Sequence, residues 1–178
     1  MKKKLAEIKI SLQAAISEKD IVKLTKSIAQ VEDNNFKMDF ADLHKQATAL
    51  LEWLQKIEKI KKDIQELRRP LIAELKSMTS PPFDVHRSMT AAFLLLGEDL
   101  KYLKEWNNVV ILLNKTGQES VKRRVQELKV QDVSEELANA AEEQIQGLTS
   151  DGVYEASQAA SLFFNWTEMM CYTRKQAD

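Results

Sequence analysis

ELKSMTSPPFDVHRSMTAAFLLLGE, residues 74–98, joins a charged helical stretch to a short apolar one through Pro81 and Pro82. A residue that precedes proline is pushed out of the helical region, and proline itself has no N–H to donate, so Ser80-Pro81-Pro82 ends the upstream helix. Ser80 is the predicted N-cap of the next helix, with Pro81 in its first turn and Asp84 placing a carboxylate near the positive helix end. In that helix Val85, Met89, Ala92, Phe93 and Leu96 recur at helical spacing and form one apolar face, with Gly97 as the stop. Asp84, Arg87 and Thr90 fall on the opposite side.

Upstream of the corner, Leu43, Ala47, Leu50, Leu54, Ile57, Ile60, Ile64, Leu67, Leu71, Leu75 and Met78 follow one another in steps of three and four. This is the rhythm of a coiled-coil seam, and it slips at Ile57–Ile60 and Leu71–Leu75. A helix over 39–79 would reach about 60 Å, with Pro70 kinking it or marking a joint. The basic block over 56–69 reads as its solvated flank. Before it, Leu5, Ile8, Leu12, Ala15 and Ile16 make one stripe and Ile21, Leu24, Ile28 and Val31 another. The restart at Ser17-Glu18-Lys19-Asp20 gives two helices or one jointed helix within residues 1–38.

Downstream, the run Trp106–Leu113 is read as a helix ended by Asn114-Lys115-Thr116-Gly117. Residues 120–128 make a short amphipathic piece with Val121, Val125 and Leu128 inward and Lys122, Arg123 and Arg124 outward. Ser134 caps a further helix that Gly147 closes. A last helix is expected from about Asp151-Gly152 to the chain end, with Val153, Ala156, Ala160, Phe163, Phe164 and Met170 on its packing face.

Four Gly and three Pro among 178 residues favour helix throughout, and no alternating pattern with strand-type turns competes. The formal net charge of −1 gives no reason to expect nucleic acid. Its distribution is uneven: residues 1–79 carry 16 Lys and Arg against 12 Asp and Glu, whereas residues 80–170 carry 8 against 14. The distal part is therefore acidic. Cys171, the single cysteine, forms no internal disulfide and suits a reducing compartment. No run approaches the roughly 18 apolar residues of a membrane span, and Met-Lys-Lys-Lys is followed by no continuous apolar core. The expectation is a soluble intracellular chain.

Catalytic constellations are missing from the sequence. His44 and His86 lie on different elements without metal-ligand spacing, there is no Gly-rich phosphate loop, and Glu135-Glu136 and Glu142-Glu143 diverge on helical faces. The reading is of a non-enzyme with no cofactor and no metal.

Taken in order, Leu75-Lys-Ser-Met78, Pro81-Pro82, Val85, Leu94-Leu-Leu-Gly-Glu98, Trp106, Val133-Ser-Glu-Glu-Leu137, Val153, Ala156-Ser157, Ala159-Ala160 and Trp166 resemble the microtubule-binding tip of a dynein heavy-chain stalk. The likeness covers about Leu71 to Tyr172. It implies an all-α fold, a long antiparallel coiled-coil stalk capped by a small globular bundle of about six short helices. The implied division is an N-terminal helical segment over 1–38, an outgoing stalk helix over 39–79, a tip over 80–152, and a last tip helix entering the return stalk over 153–178. The returning arm is shorter than the outgoing one, which implies either a return cut short or N-terminal helices in its place.

Tips of this family dock on tubulin through their first, last and one middle helix. The resemblance therefore assigns partner contact to His86, Arg87 and Thr90 on the first, to Tyr154, Glu155 and Gln158 on the last, and to Lys122, Arg123 and Arg124 on a third. The expected partner is a microtubule, in the cytoplasm and cytoskeleton or a ciliary axoneme, with neither nucleic acid nor membrane. Two positions depart from the family pattern: His86 stands where Lys or Arg is usual, and Glu155 where Arg is common. Because tubulin presents an acidic surface, a like charge there repels. The alternative expectation is thus a tip-like module that holds another protein in a ciliary or transport assembly and binds microtubules weakly or not at all.

Overall fold

Sparse glycine and proline let the chain remain helical between a few hard stops. A computed structural model describes residues 2–176, and among them there are eleven α-helices and no strand. These are α1 (Lys2–Glu18), α2 (Ile21–Asp33), α3 (Ala41–Gln65), α4 (Arg69–Ser77), α5 (Phe83–Leu95), α6 (Leu100–Leu103), α7 (Trp106–Leu113), α8 (Val121–Glu127), α9 (Glu135–Ile145), α10 (Ser150–Ala156) and α11 (Gln158–Gln176). The chain divides into two units, one holding residues up to Lys56 and the C-terminal end from Lys175, the other Ile57–Arg174. The boundary falls within α3.

In the first unit α1 and α2 form a hairpin. Lys19 adopts a left-handed φ of 53° to make the turn, and the Asp20 carboxylate accepts the Lys23 N–H at 3.0 Å to start α2. The two predicted stripes become its buried face: Ile8, Leu12, Ala15 and Ile16 from α1, and Leu24, Ile28 and Val31 from α2. The hydroxyls of Ser11 and Ser27 bond at 3.2 Å, and His44 Nε2 donates to Glu32 Oε1 at 3.1 Å, tying the first part of α3 to the end of α2.

The helix expected over 39–79 is two helices. α3 stops at Gln65, residues 66–68 are non-helical, and Pro70 lies in the first turn of α4, where its missing N–H costs nothing. The return helix expected over 153–178 is likewise divided. Ser157, extended at φ −163°, separates α10 from α11, and its hydroxyl accepts the Ala160 N–H at 3.1 Å as the cap of α11. Residues 177 and 178 lie outside the described part of the chain. At the double proline, the N-cap is Pro82 and α5 begins at Phe83, two residues later than Ser80 capping predicts. The indole N–H of Trp106 donates to the Met78 carbonyl at 2.7 Å and anchors this corner to α7.

α5 is the centre of the second unit, packed by α9, α10, α6 and α7. Every residue from Ser88 to Leu95 is buried, so this helix is enclosed on most sides instead of presenting a single face. Gly97, at φ 96°, ends it: Gly97 N–H donates to the Leu94 carbonyl and Glu98 N–H to the Phe93 carbonyl, both at 3.0 Å. α11 supplies Phe163, Phe164 and Trp166, which are among the largest buried side chains and each at most 1% exposed. Its Cys171 thiol donates to the Ala138 carbonyl of α9 at 3.6 Å.

Where α3 enters the second unit, its buried positions run Ile57, Lys61 and Ile64, and buried Leu67 follows just past its end. The rhythm does not slip as the apolar residues alone suggest, because Lys61 takes the place expected of Ile60, which is half-buried. The lysine stem lines the seam. Its ammonium donates to the carbonyls of Leu128 at 2.8 Å and Gln126 at 3.4 Å, at the open end of α8. The exchange is mutual: Lys122 on α8 donates to the carbonyls of Leu67 at 2.9 Å and Gln65 at 3.3 Å, which terminate α3. The amide of Gln126 also donates to the Lys61 carbonyl at 2.7 Å. Burial lowers the Lys61 pKa below 10.5, opposed by Glu58 at 3.7 Å.

Lys61→Ala is expected to destabilise the protein by about 1–3 kcal/mol, from two carbonyls left without a donor and a gap in the seam. Lys62→Ala, on the exposed side of the same turn, should stay within about 0.5 kcal/mol. Urea denaturation of the two variants checks this, and equal effects would remove Lys61 from the account.

Candidate functional site

The outward surface of the second unit is best followed from α5. A groove of about 500 Å³ is bordered by Pro81, Phe83, His86, Arg87, Thr90, Leu100, Lys104 and Gln144, from the corner, α5, α6 and α9. All three first-helix residues chosen from the sequence border it, but they serve it differently.

His86 is held in place. Its Nε2 donates to the Leu103 carbonyl at 2.8 Å and its ring meets Trp106 edge-on at 5.4 Å, so it fastens α6 to α5. Thr90 is 4% exposed, and its hydroxyl donates to the His86 carbonyl one turn back at 2.8 Å. A threonine can be buried in a helix because its own backbone offers that acceptor. It is a wall residue, not a projecting contact. Arg87 reaches across to α9, donating to Gln144 Oε1 at 2.6 Å, with its guanidinium 4.9 Å from the Phe83 ring centroid. Phe83 itself is 65% exposed, an apolar side chain that the fold does not cover.

The basic run of α8 is mostly directed inward, contrary to the outward orientation expected of Lys122, Arg123 and Arg124. Lys122 closes the end of α3 as described. Arg124 closes the end of α5, donating to the Leu96 carbonyl at 2.7 Å and to Glu98 Oε1 at 3.2 Å. Only Arg123 is exposed, and it pairs with Glu127 at 2.9 Å along its own helix. Helix-end carbonyls carry partial negative charge, so a cation beside them serves the fold directly.

Tyr154, Glu155 and Gln158 are exposed at the end of α10 and the start of α11. α10 packs on α5, and the close approach is at Gly152, where an added Cβ would lie 3.4 Å from Asp84 Oδ2 and 3.0 Å from Thr149 Oγ1. α5 and α10 therefore meet at their N-terminal turns. Asp84 lies at this junction, and α10 exposes Asp151 in its first turn and Glu155 near its end, whereas none of the residues bordering the α5–α6–α9 groove is acidic.

Phe83, Leu100, Lys104 and Gln144 were not singled out by sequence reading. Phe83 follows Pro82 directly, a position where an apolar residue starts a helix before the packing face does. That was the available signal. Leu100, Lys104 and Gln144 join the groove only through the folding of α6 and α9 against α5, which no local pattern encodes.

Among the described residues no group of three or more His, Cys, Asp or Glu is placed to hold a metal ion, and no helix is long and apolar enough to cross a membrane. No protein-family model matches the chain, and a search of curated proteins returns no match.

Arg124→Ala should destabilise the protein by about 1–3 kcal/mol through the uncapped end of α5 and the unpaired, half-buried Glu98. Arg123→Ala should change stability by no more than about 0.5 kcal/mol. Thermal denaturation of both variants decides it: a cost at Arg123 matching that at Arg124 would contradict the inward role given to the run.

Proposed function

We propose that the second unit is a non-catalytic docking tip of dynein-stalk type that binds the microtubule lattice through the outward surfaces of α5 and α10. The observation that supports this reading is the abutment of those two helices at Asp84 and Gly152. The resemblance of residues 71–172 requires its first and last helices to share an outer face, and the Trp106–Met78 bond gives the double-proline corner a fixed geometry that sets where the partly exposed first turn of α5 begins. The seam of α3, with Ile57, Lys61 and Ile64 buried in turn, is the part of the chain that would continue into a coiled-coil stalk. Binding in this reading is surface complementarity without chemistry, and its strength depends on charge.

A second reading, a tip-like module holding a different protein in a ciliary or transport assembly, is favoured by one specific feature. Lys122 and Arg124 are engaged with helix ends, while Glu155 and Asp151 are exposed on α10. An acidic surface of that kind repels an acidic lattice and attracts a basic partner.

Microtubule co-sedimentation at low and moderate salt separates the two. The first reading expects binding that weakens as salt rises, and about a fivefold gain in affinity for Glu155→Arg. No binding by either form at low salt would leave the second reading standing alone. Binding that Glu155→Arg fails to strengthen would mean that α10 does not face the lattice.

A further inference from the structure

The groove between α5, α6 and α9 has a chemistry distinct from the rest of the tip. Its apolar floor and rim include Pro81, Leu100, 36% exposed, and Phe83. Two cations, Arg87 and Lys104, stand on its border, and no Asp or Glu does. Neither cation forms an ion pair among the described residues. Arg87 is bonded to a neutral amide and stacked near Phe83, which orients the guanidinium without neutralising it, and Lys104 is exposed at the end of α6. In a stretch of chain that is acidic overall, an opening with two uncompensated cations and no acid is an exception to its surroundings.

We infer that this groove receives an acidic, extended peptide segment of a partner protein, with one large apolar side chain seated against Phe83 and Leu100 and flanking carboxylates on Arg87 and Lys104. This rests on the docking-tip reading, and names the partner chemistry of its α5 surface. Each part of the ligand follows from a feature of the groove. Its volume, about 500 Å³, lies within the roughly 300–1,000 Å³ range of clefts that enclose a ligand, and accepts an aromatic ring. The Arg87 guanidinium has donors left to make a charge-assisted bond to a carboxylate while Gln144 holds it in position. Lys104, at the opposite element, is a point charge that adds attraction over a wider range of geometries. A basic segment would meet two like charges and no counter-charge, so the groove selects by sign as well as by shape.

The test uses the full chain and a fluorescein-labelled peptide of about seven residues, Glu on either side of a central Phe, read by anisotropy at low salt. Controls replace every Glu by Lys, or the Phe by Ser. The acidic Phe peptide is expected to bind, with affinity falling about fivefold for Lys104→Glu and about tenfold for Phe83→Ser. Both positions are exposed, so the variants should fold, and circular dichroism verifies that. Equal binding of the Lys peptide, no binding of the acidic one, or indifference to both substitutions would overturn the inference. Self-association of the protein that Lys104→Glu abolishes would also overturn it, by making a second copy of the chain the occupant. The outcome is separable from microtubule docking: co-sedimentation without peptide binding removes the groove assignment alone, and peptide binding without co-sedimentation removes the microtubule reading and leaves the groove.

Discussion

A helix that ends inside a bundle leaves carbonyl groups without partners, and the second unit is assembled from helices most of which are only two or three turns long. Closing those ends is the constraint on which its architecture depends. Three cations do much of this. Lys61 closes α8, Lys122 closes α3, and Arg124 closes α5 with Glu98 beside it. Each links two elements far apart in sequence, so helix termination and tertiary packing are the same event. A carbonyl bonded by a charged donor gains more than one bonded by a neutral group, and the burial of the seam around Ile57 and Ile64 keeps competing water away.

The consequence for binding is that cations serving helix ends do not face a partner. α8 carries three basic residues in succession, and only Arg123 remains on the surface, paired with Glu127. Arg87 and Lys104 place positive charge next to the exposed side chains of Phe83 and Leu100. α10 exposes Asp151 and Glu155 and meets α5 where Gly152 approaches Asp84. The second unit therefore carries an α10 with exposed acids and a groove with cations and no acid on its border.

Periodicity was a good guide wherever one helix packs along one line. The stripes of α1 and α2, the span of α7, the Ser134 cap of α9 and the Gly97 stop of α5 were all legible, because each depends on residues within a few positions. Pro70 was legible as a joint, yet the extent of the break from Glu66 to Arg68 was not. Lys61 escaped because a lysine is ordinarily solvated, and the carbonyls that welcome it belong to Gln126 and Leu128. Its signal was available in the rhythm: Ile57, Lys61 and Ile64 keep the steps of four and three that Ile60 interrupts. Thr90 was assigned to partner contact by its place opposite the apolar face and by the resemblance, although a hydroxyl bonded to the preceding turn is compatible with a fully packed site. The groove was half legible, through His86, Arg87 and Thr90; its other wall depends on how α6 and α9 fold back.

The enclosure of Lys61 has a practical side. Its neighbours Lys59 and Lys62 extend into solvent, while Lys61 is 5% exposed with its nitrogen committed to α8. An amine-directed reagent should modify the neighbours readily and reach Lys61 only when α3 and α8 part. The protein thus contains its own gauge of the contact between α3 and α8, readable by peptide mass spectrometry without adding a probe to the chain.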